Sequence, residues 1–168
     1  ATVGNGFNLM HGEMSGQGGA YKKINDVKIA VFTVVNSLGA IVDRKGNVVR
    51  GHFNQETNRR YKATLEEMEE WINKGTPPYN MSNMGNTSLN LVVTNQMLGA
   101  IELKQLAKQV HSSMARVIQP FHTLFDGDIL YAVSTGQIKD SNLNSVALGT
   151  IASELMCEAV LNSYEDSE

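Results

Sequence analysis

The stretch Gly85 to Pro120 reads GNTSLNLVVTNQMLGAIELKQLAKQVHSSMARVIQP. Its first half, Ser88 to Thr94, is a short run of Leu, Val and Thr, the mark of a strand. Its second half spaces Ile101, Leu106, Val110, Met114 and Val117/Ile118 in helical steps. This predicts an amphipathic helix over 101–118, with Pro120 just past its end. The same alternation repeats downstream: a strand at Ile129 to Ser134, then a helix from Asn142 to about Leu161 with Val146, Ile151, Leu155, Met156 and Val160 on one face. Upstream, Val27 to Val35 reads as a buried strand. Ala40 to Asp43 and Asn47 to Arg50 flank the turn signal Arg44-Lys45-Gly46-Asn47. Residues 51–62 read as an exposed polar loop. Thr64-Leu65-Glu66-Glu67 has the capping-box pattern, which predicts a helix from Leu65 to about Asn73 ending at Gly75. Residues 4–19, with six glycines, read as irregular. Strands and a helix followed by β-α-β-α make a layered α+β fold.

Composition bounds the rest. A chain of 168 residues with 42% apolar content suits one domain with a sizeable core. A net charge of −3 with scattered basic residues excludes recruitment of nucleic acid or an acidic membrane surface by charge. The longest apolar run, Ile129 to Val133, is far short of the roughly 20 residues of a spanning helix. No signal-peptide pattern opens the sequence, and the lone Cys157 cannot form an internal disulfide. The expectation is therefore a reducing compartment, the cytoplasm. Charged residues are only 18%, and none occurs among the 27 positions from Gly75 to Ile101. A charge-free connection running into a strand points to burial.

Several residues could carry chemistry. Gly85-Asn86-Thr87-Ser88 puts a hydroxyl where a buried loop meets a strand. Were the bond before Thr87 cut, the new α-amine, with a reference pKa of about 7.7–8, could serve as base for its own hydroxyl. The plain alternative is a loop-to-strand Asn-Thr pair. In His122-Thr123-Leu124-Phe125-Asp126-Gly127-Asp128, the carboxylates Asp126 and Asp128 could orient an amine or hydroxyl, or could simply cap a turn. Asn36, directly after a strand, could donate its amide to an oxyanion or merely close the strand end. Gly4, Gly6 and Gly12 lack the pattern of a phosphate loop. Two carboxylates and one His are too few for a metal site. His111 and Cys157 read as structural.

The segments NTSLNLVVTNQML, ELKQLAKQVHSSMARVIQPFHTLFDGD and ALGTIASELM resemble the self-cleaving hydrolases of the DmpA-type L-aminopeptidase/D-esterase family. The nylon-oligomer (aminohexanoate-oligomer) hydrolases are the branch to which the chain is most similar. The likeness covers nearly the whole chain. It implies an αββα sandwich resembling N-terminal-nucleophile hydrolases with different connectivity. It also implies self-cleavage at Asn86–Thr87, dividing residues 1–86, the end of an α chain, from residues 87–168, a β chain that starts at the nucleophile. Thr87 maps onto that nucleophile, Asn36 onto the residue that positions it or holds the oxyanion, and Asp126 and Asp128 onto the pair that holds its polar network. The implied activity is hydrolysis of short amino-acid oligomers, with an aminopeptidase or β-aminopeptidase of the same family as the alternative. No cofactor or metal is implied. The implied partners are a small amide substrate, an N-terminal α-chain segment preceding the glycine-rich opening, and further copies in a homotetramer.

One departure stands out. Where the family has Gly-Lys, this chain has Gly12-Glu13, with Lys22 and Lys23 as other sources of positive charge. A carboxylate there would add repulsion to Asp126 and Asp128. Glu13 therefore leaves an inactive or uncleaved structural homologue as a further reading.

Overall fold

The computed structural model describes residues 1–4, 11–75, 85–139 and 141–164. The expectations for residues 5–10 of the glycine-rich opening and for most of the charge-free loop, 76–84, lie outside the described residues. In chain order the elements are β1 (Thr2–Val3), β2 (Glu13–Met14), β3 (Gln17–Ile24), β4 (Val27–Val34), β5 (Ala40–Val42), β6 (Val48–Arg50), β7 (Phe53–Asn54), β8 (Arg59–Arg60), α1 (Thr64–Asn73), β9 (Leu89–Gln96), α2 (Ala100–Ser113), β10 (Ile118–Gln119), β11 (Ile129–Ile138) and α3 (Ser145–Asn162).

The β–α alternation read from residues 85–161 builds the main layer pair. The central sheet has the order β11-β9-β4-β3. β9 and β11 run parallel because α2 carries the chain back between them, whereas β4 is antiparallel to both β9 and β3. α2 and α3 pack together on one face of this sheet. Ile29, Val31 and Val92 point into that interface with Val110, Met114, Leu148, Met156 and Val160, and each is essentially fully buried. Each such side chain contributes about 1.5–3 kcal/mol of transfer free energy. The opposite face carries Phe32, Val34, Leu89, Tyr131 and Val133. Phe32 is 53% and Tyr131 59% exposed, and the face is a shallow concavity of about 1160 Å³. β4, expected to be buried throughout, is thus buried on one face only. A smaller sheet, β10-β5-β6, includes the predicted hairpin, whose turn is tied by Asp43 accepting from the N–H groups of Lys45 and Asn47.

The structure departs from the sequence reading at four further places. The helix expected to reach Ile118 ends at Ser113. One 3-10 turn, Met114–Arg116, follows, and Ile118 then pairs with Ile41 in a strand. Pro120 disfavours helix just before it, and the strand pairing supplies the lost backbone bonds. Part of the glycine-rich opening is not irregular: β3 starts at Gln17. Its glycines hid it, and Gly18 is required because a Cβ there would lie 2.0 Å from the Ala159 carbonyl of α3. The exposed loop at 51–62 is the hairpin β7–β8, with His52 and Tyr61 buried beneath it.

The fourth is the start of α1. The helix lies where expected, and Gly75 follows it at φ +65°. Thr64 is not a capping residue, however. Its hydroxyl donates to the Gln119 carbonyl at 2.9 Å, and the N-cap is Ala63 without a side-chain bond. Glu67 turns inward, 3% exposed, and each of its oxygens meets an imidazole Nδ1, one from His11 and one from His52. Among the described residues no helix is long and apolar enough to cross a membrane.

Candidate active site

The predicted nucleophile lies where the chain enters β9. Asn86 forms a parallel bridge with Asp126, and the Gly127 N–H donates to the Asn86 carbonyl at 2.8 Å. The Thr87 hydroxyl donates to the same carbonyl at 2.7 Å. The hydroxyl and the carbonyl of the preceding peptide are therefore in contact, and both lie against the turn that carries Asp126 and Asp128.

The structure brings Asn36, Asn86, Thr87, Asp126 and Asp128 together through short contacts. The Asn36 side chain accepts from Thr2 N at 3.1 Å and donates to the Gly85 carbonyl at 3.0 Å, while its backbone N–H reaches Ser88 Oγ at 3.3 Å. Its amide thus grips the peptide one residue before the Asn86 carbonyl. Asp126 accepts from Leu38 N at 3.0 Å and from Thr123 N and Oγ1 at 2.9 and 2.7 Å, clamping the 122–128 turn to the loop after β4. Asp128 Oδ1 accepts from Ser88 N at 2.8 Å. Its buried Oδ2 has no hydrogen bond among the described residues, and His122 Nδ1 stands 3.7 Å away. Asp126 and Asp128 therefore do cap backbone groups, as the plain reading had it. The groups they cap lie in the turn itself at Thr123, in the segment after Thr87 at Ser88, and in the loop carrying Asn36 at Leu38.

Sequence reasoning missed two members of this site. Asn90, 3% exposed, accepts from the Thr33 hydroxyl at 2.6 Å and donates to the carbonyls of Ser88 and Ile129, locking β4, β9 and β11 beneath Thr87. The signal was an Asn at an inward position within the apolar run Leu89 to Val93. The second is Gly127, whose N–H is described above; a glycine inside an Asp-Gly-Asp turn gives no further sign.

Glu13 makes none of these contacts. Its carboxylate is taken up by the Arg60 guanidinium in a two-pronged pair, by the Gly51 N–H at 2.7 Å and by Arg50 at 3.7 Å. The repulsion anticipated between Glu13 and the aspartates is thus met by two neighbouring guanidinium groups. Lys22 and Lys23 are exposed and lie opposite Ile29 and Lys28, toward the end of β3 remote from Asn36. Glu13→Lys places an ammonium against Arg50 and Arg60 and is expected to cost about 3 kcal/mol, lowering Tm by on the order of 10 °C in a thermal melt. An unchanged Tm would show that this pair does not hold β2.

Beside the site, His111 packs on Phe121 and edge-on to His122, with ring centroids 4.9 and 4.7 Å away. Burial, then the neighbouring His122, hold its imidazole below the ordinary value of 6.5. The unfolded chain consequently binds the extra proton first, and stability present at neutral pH is lost as pH falls through about 6.5. Melts at pH 7 and pH 5 should show a smaller acid loss in His111→Gln than in the parent. Burial likewise pushes the Cys157 thiol up, as expected of an inert cysteine. No group of three or more His, Cys, Asp or Glu among the described residues is arranged to hold a metal ion.

Comparison with known proteins gives a consistent result. The profile described as Peptidase family S58 matches residues 2–167. The 6-aminohexanoate-oligomer endohydrolase of Paenarthrobacter ureafaciens is 43% identical over 161 residues, covering 90% of this chain and 44% of that protein. Among solved structures, a Burkholderia sp. beta-aminopeptidase superposes with a TM-score of 0.54 at 16% identity, covering 89% of this chain and 41% of that one. The L-aminopeptidase D-Ala-esterase/amidase of Ochrobactrum anthropi, described as a variant of the Ntn hydrolase fold, gives 0.51 at 18% identity, covering 96% and 41%. The chain spans about half the length of the curated relatives it matches. The fold is α+β with this N-terminal-nucleophile-hydrolase character.

Proposed function

The chain belongs to peptidase family S58, and from that premise we propose that it is part of an amide hydrolase whose nucleophile, Thr87, is released by self-cleavage of the Asn86–Thr87 bond. The observation that carries the reading is the contact of the Thr87 hydroxyl with the carbonyl of the residue before it, inside the frame of Asn36, Asp126 and Asp128. Thr87 Oγ attacks the Asn86 carbonyl carbon. The C–N bond breaks as the hydroxyl proton passes to the leaving nitrogen, and water hydrolyses the resulting ester. The freed α-amine then serves as base for the same hydroxyl against an external amide. Asp128 already accepts from Ser88 N and keeps one buried oxygen without a hydrogen bond among the described residues. That oxygen is an acceptor for the new ammonium. Asn36 holds the 85–88 segment in register, and Asp126 fixes the turn beneath it.

The substrate class follows the named relative of 43% identity: short oligomers of 6-aminohexanoate. A peptide or β-peptide amine end is the second reading, supported by the fold shared with the two aminopeptidase structures. The division into an α chain ending at Asn86 and a β chain starting at Thr87, the additional α-chain segment and the homotetramer belong to the same proposal. The bare apolar face of the central sheet supports a covered state of that kind. Intact-mass measurement under denaturing conditions is the test. The expected result is a split between Asn86 and Thr87, and faster hydrolysis of an aminohexanoate oligomer than of a β-alanyl amide. A single unsplit chain with undiminished amidase activity would sink the reading, and the reverse substrate order would replace the oligomer by the aminopeptidase substrate.

A further inference from the structure

We propose that the backbone N–H of Gly127 is the oxyanion donor of this site, first for the Asn86 carbonyl in self-cleavage and then for the substrate carbonyl. The inference rests on the proposed function and adds a residue to it. The Asn36 amide, the group expected in this role, donates to the Gly85 carbonyl instead. The Asn86 carbonyl receives the Gly127 N–H at 2.8 Å, so this donor already faces the oxygen on which charge would develop.

The donor is fixed from both sides. Asp126 before it is held by Leu38 N and by the backbone and hydroxyl of Thr123. Asp128 after it is held by Ser88 N. Such a dipole needs no reorganisation as charge develops on the carbonyl oxygen. The position also demands glycine: a Cβ at 127 would lie 2.8 Å from Thr87 Oγ1 and 3.6 Å from the Asn86 oxygen. A chain that required only a turn here would not need the nucleophile's oxygen to sit where a side chain would go.

The same N–H serves both reactions because both acyl groups are carried by one atom. In self-cleavage the Oγ–C bond forms to Asn86, the C–N bond breaks, and the proton goes to the Thr87 nitrogen. Hydrolysis of that ester leaves an Asn86 carboxylate and the free hydroxyl. In turnover the same Oγ takes the substrate acyl group, so its carbonyl oxygen falls where that of Asn86 stood.

The test replaces the N–H by an oxygen and keeps every side chain, by exchanging the Asp126–Gly127 amide for an ester (glycolic acid in place of Gly127) in the protein made by cell-free translation. Timed intact-mass spectra should show self-cleavage slowed by about 10²-fold or more. The same exchange at Gly46, in the remote 43–47 turn, should leave the rate unchanged. The slowly matured Gly127 ester protein should show a lowered kcat on an aminohexanoate oligomer with KM nearly unchanged. Cleavage within about threefold of the parent overturns the inference, and an unchanged kcat overturns its second half. A second measurement needs no ester: in the mature protein the Gly127 amide proton should move downfield when a 6-aminohexanoic aldehyde binds Thr87, and an unmoved resonance counts against the donor. If the parent never splits, or Thr87→Ala still does, the proposed function fails and the inference with it. If the parent splits, Thr87→Ala does not, and the ester protein keeps pace, only the role of Gly127 fails.

Discussion

Thr87→Ala leaves the chain whole and without amide hydrolysis. The substitution removes the hydroxyl and the γ-methyl, and under the proposed function that hydroxyl oxygen is both the attacking atom in self-cleavage and the acyl carrier in turnover. Its 2.7 Å contact with the Asn86 carbonyl is lost, while the Gly127 N–H and the Asp128 carboxylate bind the backbone of the segment at Asn86 and Ser88 and remain. The fold should therefore survive with an unchanged melting curve. Activity on an aminohexanoate oligomer should fall by on the order of 10⁴-fold or more, the scale seen when a nucleophile is deleted. Thr87→Ser keeps the oxygen and should still split. A Thr87→Ala protein that still splits, or that hydrolyses amides at more than a trace, would remove Thr87 from the mechanism.

Glu67→Ala is expected to unfold the hairpin side of the molecule first. The carboxylate is 3% exposed, and its two oxygens each meet a buried imidazole, from His11 and from His52. Deleting it takes the carboxylate away from the Nδ1 of both buried rings, a change that costs about 3–5 kcal/mol and lowers Tm by on the order of 10 °C. Glu66, its neighbour, provides the contrast. It pairs with Arg59 at the surface and accepts from Lys62 N, so Glu66→Ala should cost within about 1 kcal/mol. Equal effects in the two variants, read by urea titration, would show that the buried cluster contributes no more than a surface pair.

Those adjacent glutamates also show where sequence reasoning reached and where it stopped. The Thr-x-x-Glu pattern is local, and it correctly placed a helix start near residue 64. It could not show that Glu67 answers two histidines 56 and 15 positions away, because nothing along the chain marks that approach. The strands β4, β9 and β11 and the helices α2 and α3 were legible because each carries its own periodicity. β3 was not, since α3 presses so close that glycine occupies the position where an apolar residue would have revealed it. At the site, Thr87, Asn36, Asp126 and Asp128 were found as chemically suggestive side chains sharpened by a family likeness. Gly127 was invisible because its contribution is a backbone N–H, and every residue but proline has one. Asn36 lies beside Gly85 and Ser88, and its amide holds the peptide next to the one expected.

The bridge between Asn86 and Asp126 joins two points forty residues apart. Under the proposed function it makes maturation a readout of assembly. The turn at 122–128 reaches the scissile peptide only after β9, α2 and β10 have taken their places and the chain has turned back toward β11. A nascent or misfolded chain holds Thr87 in an ordinary peptide, with no polarised carbonyl to attack and no α-amine to act as base. The hydrolase would therefore stay silent until its own tertiary structure certifies it, and the cleavage, being irreversible, would record that event permanently in the covalent structure.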